Sequence, residues 1–538
     1  MTIAAERASG SHRPRMARGD WVVLAAFAAM ALAPLVGLLV RVWTQGGVIT
    51  GADGFLVLDP MQYVNWLRQS GESGAAANLY DLAPGPHSFV HPGLLISGLL
   101  YRLGFGVVLA YLVWKPVAVV ALFAGAFLFA GRFLARAGDR RVAVILGLFF
   151  ASPIAAVVGW TSTAESAVKF NLDFVSGELW TGTYLWGYLF TAVGVGVMPL
   201  GLLAFERART GSSTRPLVLA SAIGLIVSWL QPWQGATFAL ILIVASLMTD
   251  RRDRNALAAS VRRLAPVLVA TALPLIYYFL LSKYDPSWRL AGEVNNFGRW
   301  PWWVTVVGIA PLAVPALFAY RERSLDFGGW MLRVWPIAGL AIFYLPVGTF
   351  PFHAFQGIAL PLAVLAVVAV RDWLGDRPLP LIWTAAAVAV MVVPGTLYRA
   401  DQMRGAVKAG RQAFVLEPGE RDALRWLERQ PGPGGVLSPL ADGAYISAYT
   451  GREVWAGAGS WTPDQGWRGL AIAELFNGIG GADADQALVV RSGARFVFAS
   501  CRSTVELDQK LEPITLGPVH RFGCARVWEI RPPAGGWW

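Results

Sequence analysis

Asp59 opens the stretch Leu-Asp-Pro-Met-Gln-Tyr-Val-Asn-Trp-Leu-Arg-Gln-Ser-Gly, residues 58–71. A carboxylate within hydrogen-bond reach of a hydroxyl can take its proton and turn it into a nucleophile. The same carboxylate can do something plainer. Aspartate before proline is a good helix start, its side chain accepting from the free N–H groups of the first turn. Asp53, in Gly-Ala-Asp-Gly, is a second acid nearby, in a sequence that reads first as a turn. His87 and His91 flank His-Ser-Phe-Val-His-Pro. At i, i+4 they would suit a metal on a helix, but Pro92 and the Pro-Gly-Pro before His87 argue against a helix there. His353, in Phe-Pro-Phe-His-Ala-Phe-Gln-Gly, is either a proton donor able to meet a phosphate or an interfacial polar residue. Glu165, Asp173 and Glu178 read as solvated loop acids unless their loop folds over a cavity. The sequence contains no CxxC, HExxH, P-loop or GxSxG signature.

The elements that must position these residues are membrane helices. Of 538 residues, 55% are hydrophobic and only 15% charged, against about 25% charged in a soluble domain. Apolar runs long enough to cross about 30 Å of hydrocarbon recur along the chain. Eleven spans are expected, near 20–43, 106–134, 141–160, 183–205, 216–230, 234–248, 264–282, 302–320, 331–348, 355–370 and 379–397. The first follows a basic leader, residues 1–19 with Arg7, His12 and Arg13, and reads as uncleaved because no small-residue cleavage site ends it. Arginines cluster in alternate connections, as in Arg132, Arg136, Arg140 and Arg141, or Arg251, Arg252, Arg254, Arg262 and Arg263. Arg321, Arg323 and Arg333 continue the pattern. By the positive-inside rule this puts the N-terminus in the cytoplasm. It also makes the net charge of +11 a topology signal rather than a sign of nucleic acid.

On the opposite, outer side, residues 44–105 form a long first loop. Residues 58–71 read as a helix there, capped by Asp59, ended by Gly71, with Gln62, Asn65 and Gln69 on one face. Leu-Leu-Ile-Ser-Gly-Leu-Leu-Tyr-Arg-Leu-Gly is too short to cross and is expected to lie in the interface or re-enter. The spans hold almost no ionisable groups, Lys115 excepted. That weighs against a carrier, which wants such groups at mid-membrane.

From residue 412 the composition changes. Amphipathic helices alternate with short strands such as Ala-Arg-Phe-Val-Phe-Ala-Ser and Cys-Ala-Arg-Val-Trp-Glu-Ile. The expected division is a transmembrane part, 20–411, and a small extracytoplasmic α/β domain, 412–538. Both cysteines, Cys501 and Cys524, fall in that domain. An outer face permits a bridge between them, and two unpaired thiols is the alternative.

This order of parts resembles the GT-C superfamily of membrane glycosyltransferases. The resemblance rests on Asp59 in the first outer loop, on Asn-Leu-Tyr-Asp-Leu-Ala-Pro-Gly-Pro-His-Ser-Phe-Val-His-Pro after it, and on Ser-Trp-Leu-Gln-Pro-Trp-Gln-Gly and Phe-His-Ala-Phe-Gln-Gly further on. Such motifs are short, though they run through most of the chain. The resemblance implies an inverting transfer of sugar from a polyprenyl-phosphate donor to an extracytoplasmic glycan or lipid acceptor at the cell membrane. It implies a loop carboxylate as base, Asp59 first and Asp53 second. His91, His353, Arg289 and Arg299 are implied at the donor phosphate. His87, Gln62, Tyr63, Glu165, Asp173, Glu178 and Gln356 are implied around the substrates. It names no certain cofactor, and a divalent metal is left open. Similar proteins often carry arginine where this chain has His353 and Gln356. A non-catalytic protein binding lipid-linked glycan, or a lipid or glycan transporter, is the alternative.

Overall fold

The computed structural model describes residues 15–54, 57–162, 164–295, 298–322, 325–345, 351–410 and 413–532. Arg7, His12, Arg13 and Arg323 lie outside the described residues. The chain is mainly helical. After α1 (Arg18–Gln45) come β1 (Val48–Ile49), α2 (Leu58–Ser73) and α3 (Pro92–Arg102). The helical body continues through α4 (Val107–Leu112), α5 (Trp114–Phe133), α6 (Ala137–Phe149), α7 (Pro153–Thr161), α8 (Ser166–Leu179), α9 (Thr181–Leu185) and α10 (Leu189–Thr210). It closes with α11 (Arg215–Leu230), α12 (Pro232–Asp250), α13 (Arg254–Tyr284), α14 (Pro286–Val294), α15 (Trp302–Leu317), α16 (Phe327–Tyr344), α17 (Ala359–Leu374) and α18 (Leu381–Ala409).

Among the described residues, nine helices are long and apolar enough to cross a membrane. The expected count of eleven is not carried by that measure. Its two extra members are α11, with only 16 residues, and α16, diluted by Gly328, Gly329, Arg333 and Pro336. Polar contacts stand near both ends of each. Arg209, near the end of α10 and the start of α11, pairs with Asp250 at 2.8 Å, while Trp229 near the other end of α11 donates to the Val90 carbonyl at 3.1 Å. Asp326 before α16 pairs with Arg132 at 2.7 Å, and Tyr344 at its end donates to Thr305 at the start of α15.

The first loop is ordered by its own helices. Asp59 does not cap α2: the cap is Val57, with no side-chain bond, and Asp59 stands inside the first turn. Gly71 does not end it either. The helix runs on to Ser73 and stops at Gly74, whose φ of 83° is the left-handed conformation glycine adopts without a Cβ penalty. Gly71 has another job. A Cβ there would lie 2.7 Å from the Gly98 carbonyl of α3, so the two backbones cross in close contact. The outer face of α3 keeps Leu95, Ile96 and Leu99 exposed, as an interfacial helix does.

The C-terminal part holds β2 (Val415–Leu416), α19 (Pro418–Arg429), β3 (Val436–Leu437), α20 (Leu440–Thr450), α21 (Gln465–Phe476), α22 (Ala482–Ser492), β4 (Phe496–Ala499), α23 (Asp508–Leu511), β5 (His520–Phe522) and β6 (Ala525–Glu529). Four strands form one sheet in the order β3-β4-β6-β5, with β3 and β4 parallel and the other pairs antiparallel. The first loop is welded to this part. β1 pairs antiparallel with β2, Val48 opposite Leu416. Arg68 of α2 reaches Glu428 at 2.8 Å, Asn78 donates to the Trp461 carbonyl at 2.7 Å, and Arg468 pairs with Asp81 at 3.0 Å. Trp66, Phe89, Trp288 and Trp461 pack edge and face across the same seam.

Cys501 and Cys524 are bonded, with Cα atoms 4.9 Å apart and a separation of 23 positions in sequence. Replacing both by serine is expected to cost about 3 kcal/mol, the loop-closure value for a ring of this size. Denaturant unfolding of the purified protein measures it. Alkylation of two thiols in unreduced protein would show instead that the bridge does not form.

Candidate active site

Asp59 sits where α2, the α9–α10 connection and the turn before α17 converge. The Tyr188 hydroxyl donates to its Oδ2 at 2.5 Å. Burial pushes the Asp59 carboxyl above the usual carboxylate range, and the Tyr188 bond and the nearby His353 imidazole pull only part of the way back. Tyr63, one turn along α2, stacks on Tyr111 and meets Phe190 edge-on. Burial and the Asp59 charge together push its hydroxyl well up, so it stays a neutral donor. Asp59, Tyr63, Tyr188 and His353 are each half-buried among mostly buried neighbours, so each keeps some contact with solvent.

Behind them lies a buried polar platform. Gln356 donates to Glu178 Oε2 at 2.9 Å, and His353 Nδ1 stands 3.1 Å from the same oxygen. Gln231, between α11 and α12, donates to the Gln356 Oε1 at 3.3 Å. Gln234 donates to the carbonyls of His353 and Gln356. Glu178 thus fixes the His353 ring from behind. Gln62, on the α2 face that carries Asp59, is buried, and among the described residues neither of its amide atoms has a hydrogen-bond partner.

The remaining predicted residues scatter. Asp53 is not open to a substrate: it is buried and pairs with Lys115 at 2.7 Å. His91 caps α3, its Nδ1 accepting from the Leu94 N–H at 3.3 Å. Burial pushes it down to about 3, so it is a neutral cap and not a cation for a phosphate. Asp173 ties α8 to α18 through Arg399 at 3.0 Å. His87, Glu165 and Arg289 are exposed, and no hydrogen bond or ion pair joins them to the Asp59 group. Arg299 donates to the Leu345 carbonyl at 2.6 Å, and among the described residues its Nε has no partner. It precedes Trp300, which stacks on Phe352 beside His353. Among the described residues, no three His, Cys, Asp or Glu side chains come together to hold a metal ion.

Tyr188 carried no motif, and nothing in the sequence pointed to it. Gln231 and Gln234 lay in Ser-Trp-Leu-Gln-Pro-Trp-Gln-Gly, where paired glutamines between two apolar runs are the visible signal. Lys115 was visible as the main ionisable exception inside the spans.

Solved structures share this fold. The archaeal oligosaccharyltransferase AglB of Archaeoglobus fulgidus, solved with an inhibitory peptide and a dolichol-phosphate, superposes with a TM-score of 0.52 at 12% identity, over 90% of this chain and 69% of that one. ArnT of Cupriavidus metallidurans, solved with undecaprenyl phosphate, superposes with a TM-score of 0.50 at 15% identity, over 95% and 98%. This chain has the GT-C fold. No protein-family model and no curated protein matches the sequence. The GT-C likeness and the nine apolar helices make it a multi-pass membrane protein.

Proposed function

We propose that this protein moves a sugar from a polyprenyl-phosphate donor to the hydroxyl of a glycan or lipid acceptor, with inversion, and that Asp59 is the general base. One observation carries the reading. A carboxylate whose charge is disfavoured by burial, and which is therefore a stronger base than usual, stands hydrogen-bonded to Tyr188 and near Tyr63 and His353, all four only half-buried. The fold supports it, and AglB and ArnT were solved with polyprenyl phosphates.

The chemistry balances without a cofactor. The acceptor oxygen attacks the anomeric carbon from the face opposite the phosphate. Its proton passes to Asp59, and the anomeric C–O bond breaks with its electron pair leaving on the polyprenyl phosphate. Charge growing on that phosphate needs donors aimed at it. His353, oriented by Glu178, and Arg299, with its free Nε, supply them in this proposal. Gln62, one turn from Asp59 with both amide atoms unpartnered, holds a sugar or acceptor hydroxyl.

In the same proposal the N-terminus lies in the cytoplasm of a plasma-membrane protein, and the first loop and residues 412–538 form the outer side. The arginine clusters near Arg132 and Arg252, on the opposite face from Asp59, support this orientation. Gly466 is exposed, and a Cβ there meets nothing within 4 Å. A Gly466→Cys reporter is expected to react with a membrane-impermeant maleimide on intact cells; labelling only after lysis would reverse the topology. Transfer of radiolabelled sugar from polyprenyl-phosphate donors by the purified protein in nanodiscs tests the reaction. A protein that neither binds nor turns over any such donor would not be this enzyme.

A further inference from the structure

The least buried of the nine apolar helices are α1 and α18. Both pack on α6, and their ends on the Asp59 side are joined by the β1–β2 pair just beyond them. Between them runs a groove of about 890 Å³, near the upper end of small-ligand sites at roughly 1,000 Å³. Its wall is made of small and apolar side chains, among them Ala33, Pro34, Leu38 and Met403, with Trp186 at its floor. Its rim is cationic: Arg41 from α1, and Arg404 and Lys408 from α18. Among the described residues no hydrogen bond or ion pair engages these three side chains, and all three are half-buried or exposed. Asp401, the nearby acid on α18, does not line the groove.

We infer that this groove binds an anionic glycerophospholipid of the bilayer, with the lipid phosphate at Arg41, Arg404 and Lys408 and the acyl chains along α1 and α18. The placement fits membrane depth. The rim cations begin where the apolar stretch of each helix ends, at headgroup level. From Ala29 to Gln45 the α1 wall covers about 24 Å, close to the roughly 20 Å of one leaflet with its headgroups. A chain much longer than a leaflet would overrun it. A basic pocket between membrane helices is a recurrent headgroup site. The walls that face outward are the chain's most lipid-exposed helices, so the occupant enters sideways from the bilayer. This inference needs the membrane location but not the transfer reaction, and none of its rim residues belongs to the Asp59 group.

Native mass spectrometry of the full-length protein in detergent tests it, using phosphatidylglycerol, phosphatidylcholine with the same acyl chains, and undecaprenyl phosphate as probes. Phosphatidylglycerol is expected to bind one molecule more tightly than phosphatidylcholine. Arg41→Gln/Arg404→Gln/Lys408→Gln together is expected to weaken it by roughly a hundredfold, at about fivefold per cation. Gly37 lines the groove, and a Cβ there meets nothing within 4 Å, so Gly37→Phe fills the space without a clash at its base. It is expected to displace the lipid while the unfolding midpoint holds. Equal binding of both phospholipids, or unchanged binding in both variants, would overturn the assignment. So would preference for undecaprenyl phosphate over phosphatidylglycerol in direct competition, which would make this an isoprenoid site. Because lipid retention is read without turnover, failure here leaves the transfer proposal standing, and failure of transfer leaves this one.

Discussion

Asp59→Asn is expected to lower sugar transfer about 10²–10⁴-fold, the range for losing a general base, while the protein folds as before. The substitution is clean for a structural reason. Val57, not Asp59, is the helix cap, so no capping bond is at stake. Asparagine keeps an oxygen for the Tyr188 hydroxyl to donate to. What it lacks is the ability to take a proton. The wild-type pH profile follows from the direction of the Asp59 shift. Burial raises its affinity for a proton, so the protonated, inactive form persists to higher pH than for an exposed carboxylate. The acid limb of kcat/KM should therefore fall through a midpoint above the usual carboxylate value, and it should vanish from the residual activity of Asp59→Asn. Both are measured by release of polyprenyl phosphate from purified protein in nanodiscs. Wild-type rates in a folded Asp59→Asn protein would remove Asp59 from the role. Asp53 could not replace it, since its carboxylate is buried against Lys115. Glu178 would then be tested, with the warning that it also holds His353 and Gln356.

The sequence made the helix at 58–71 legible because its polar and apolar residues separate onto two faces, a pattern that survives whatever it packs against. Its limits were less legible. Asp-Pro suggested a cap and Gly71 an end, but Gly71 is needed for close crossing with Gly98, a contact far away in sequence that no local rule sees. The apolar runs showed the membrane helices, and the strands around Phe498 and Val527 stood out as short apolar runs after the change in composition at 412. The signal for a crossing is weakest at α11 and α16, where length or glycine and arginine content blurs it. The site was half legible. Asp59, His353, Gln356 and Glu178 were named, and they meet. Their meeting depends on Tyr188, Gln231 and Gln234, brought in by helix packing alone. His91 illustrates the converse: it looked like a phosphate ligand, but a histidine just before Pro-Gly can cap a helix with Nδ1, and burial then keeps it neutral.

Lys115→Met is expected to destabilise the protein by about 3–5 kcal/mol, the cost of leaving a buried carboxylate without its partner. Both members of the Lys115–Asp53 pair are almost completely buried, at 1% and 4% side-chain exposure. The ammonium also donates to the carbonyls of Ala31 in α1 and Leu185 in α9. One side chain on α5 therefore joins the first apolar helix, the loop that leads to Asp59, and the connection that leads to Tyr188. Removing it frees all three at once and strands the Asp53 charge. Asp53→Asn/Lys115→Met separates these causes. With no charge left to strand, the double variant should recover more than half of the loss, because a buried pair costs far more to halve than to replace. If the cost came from the lost carbonyl bonds instead, the double variant would be as unstable as Lys115→Met. Unfolding in mixed micelles, followed by tryptophan fluorescence, reads both. A Lys115→Met protein within 1 kcal/mol of wild type would show that the pair is not a structural hub. Transfer by the folded fraction of Lys115→Met adds a second readout. If the pair positions Asp59 and Tyr188 relative to each other, kcat falls while the acid limb of the pH profile, set by the burial of Asp59, stays where it is.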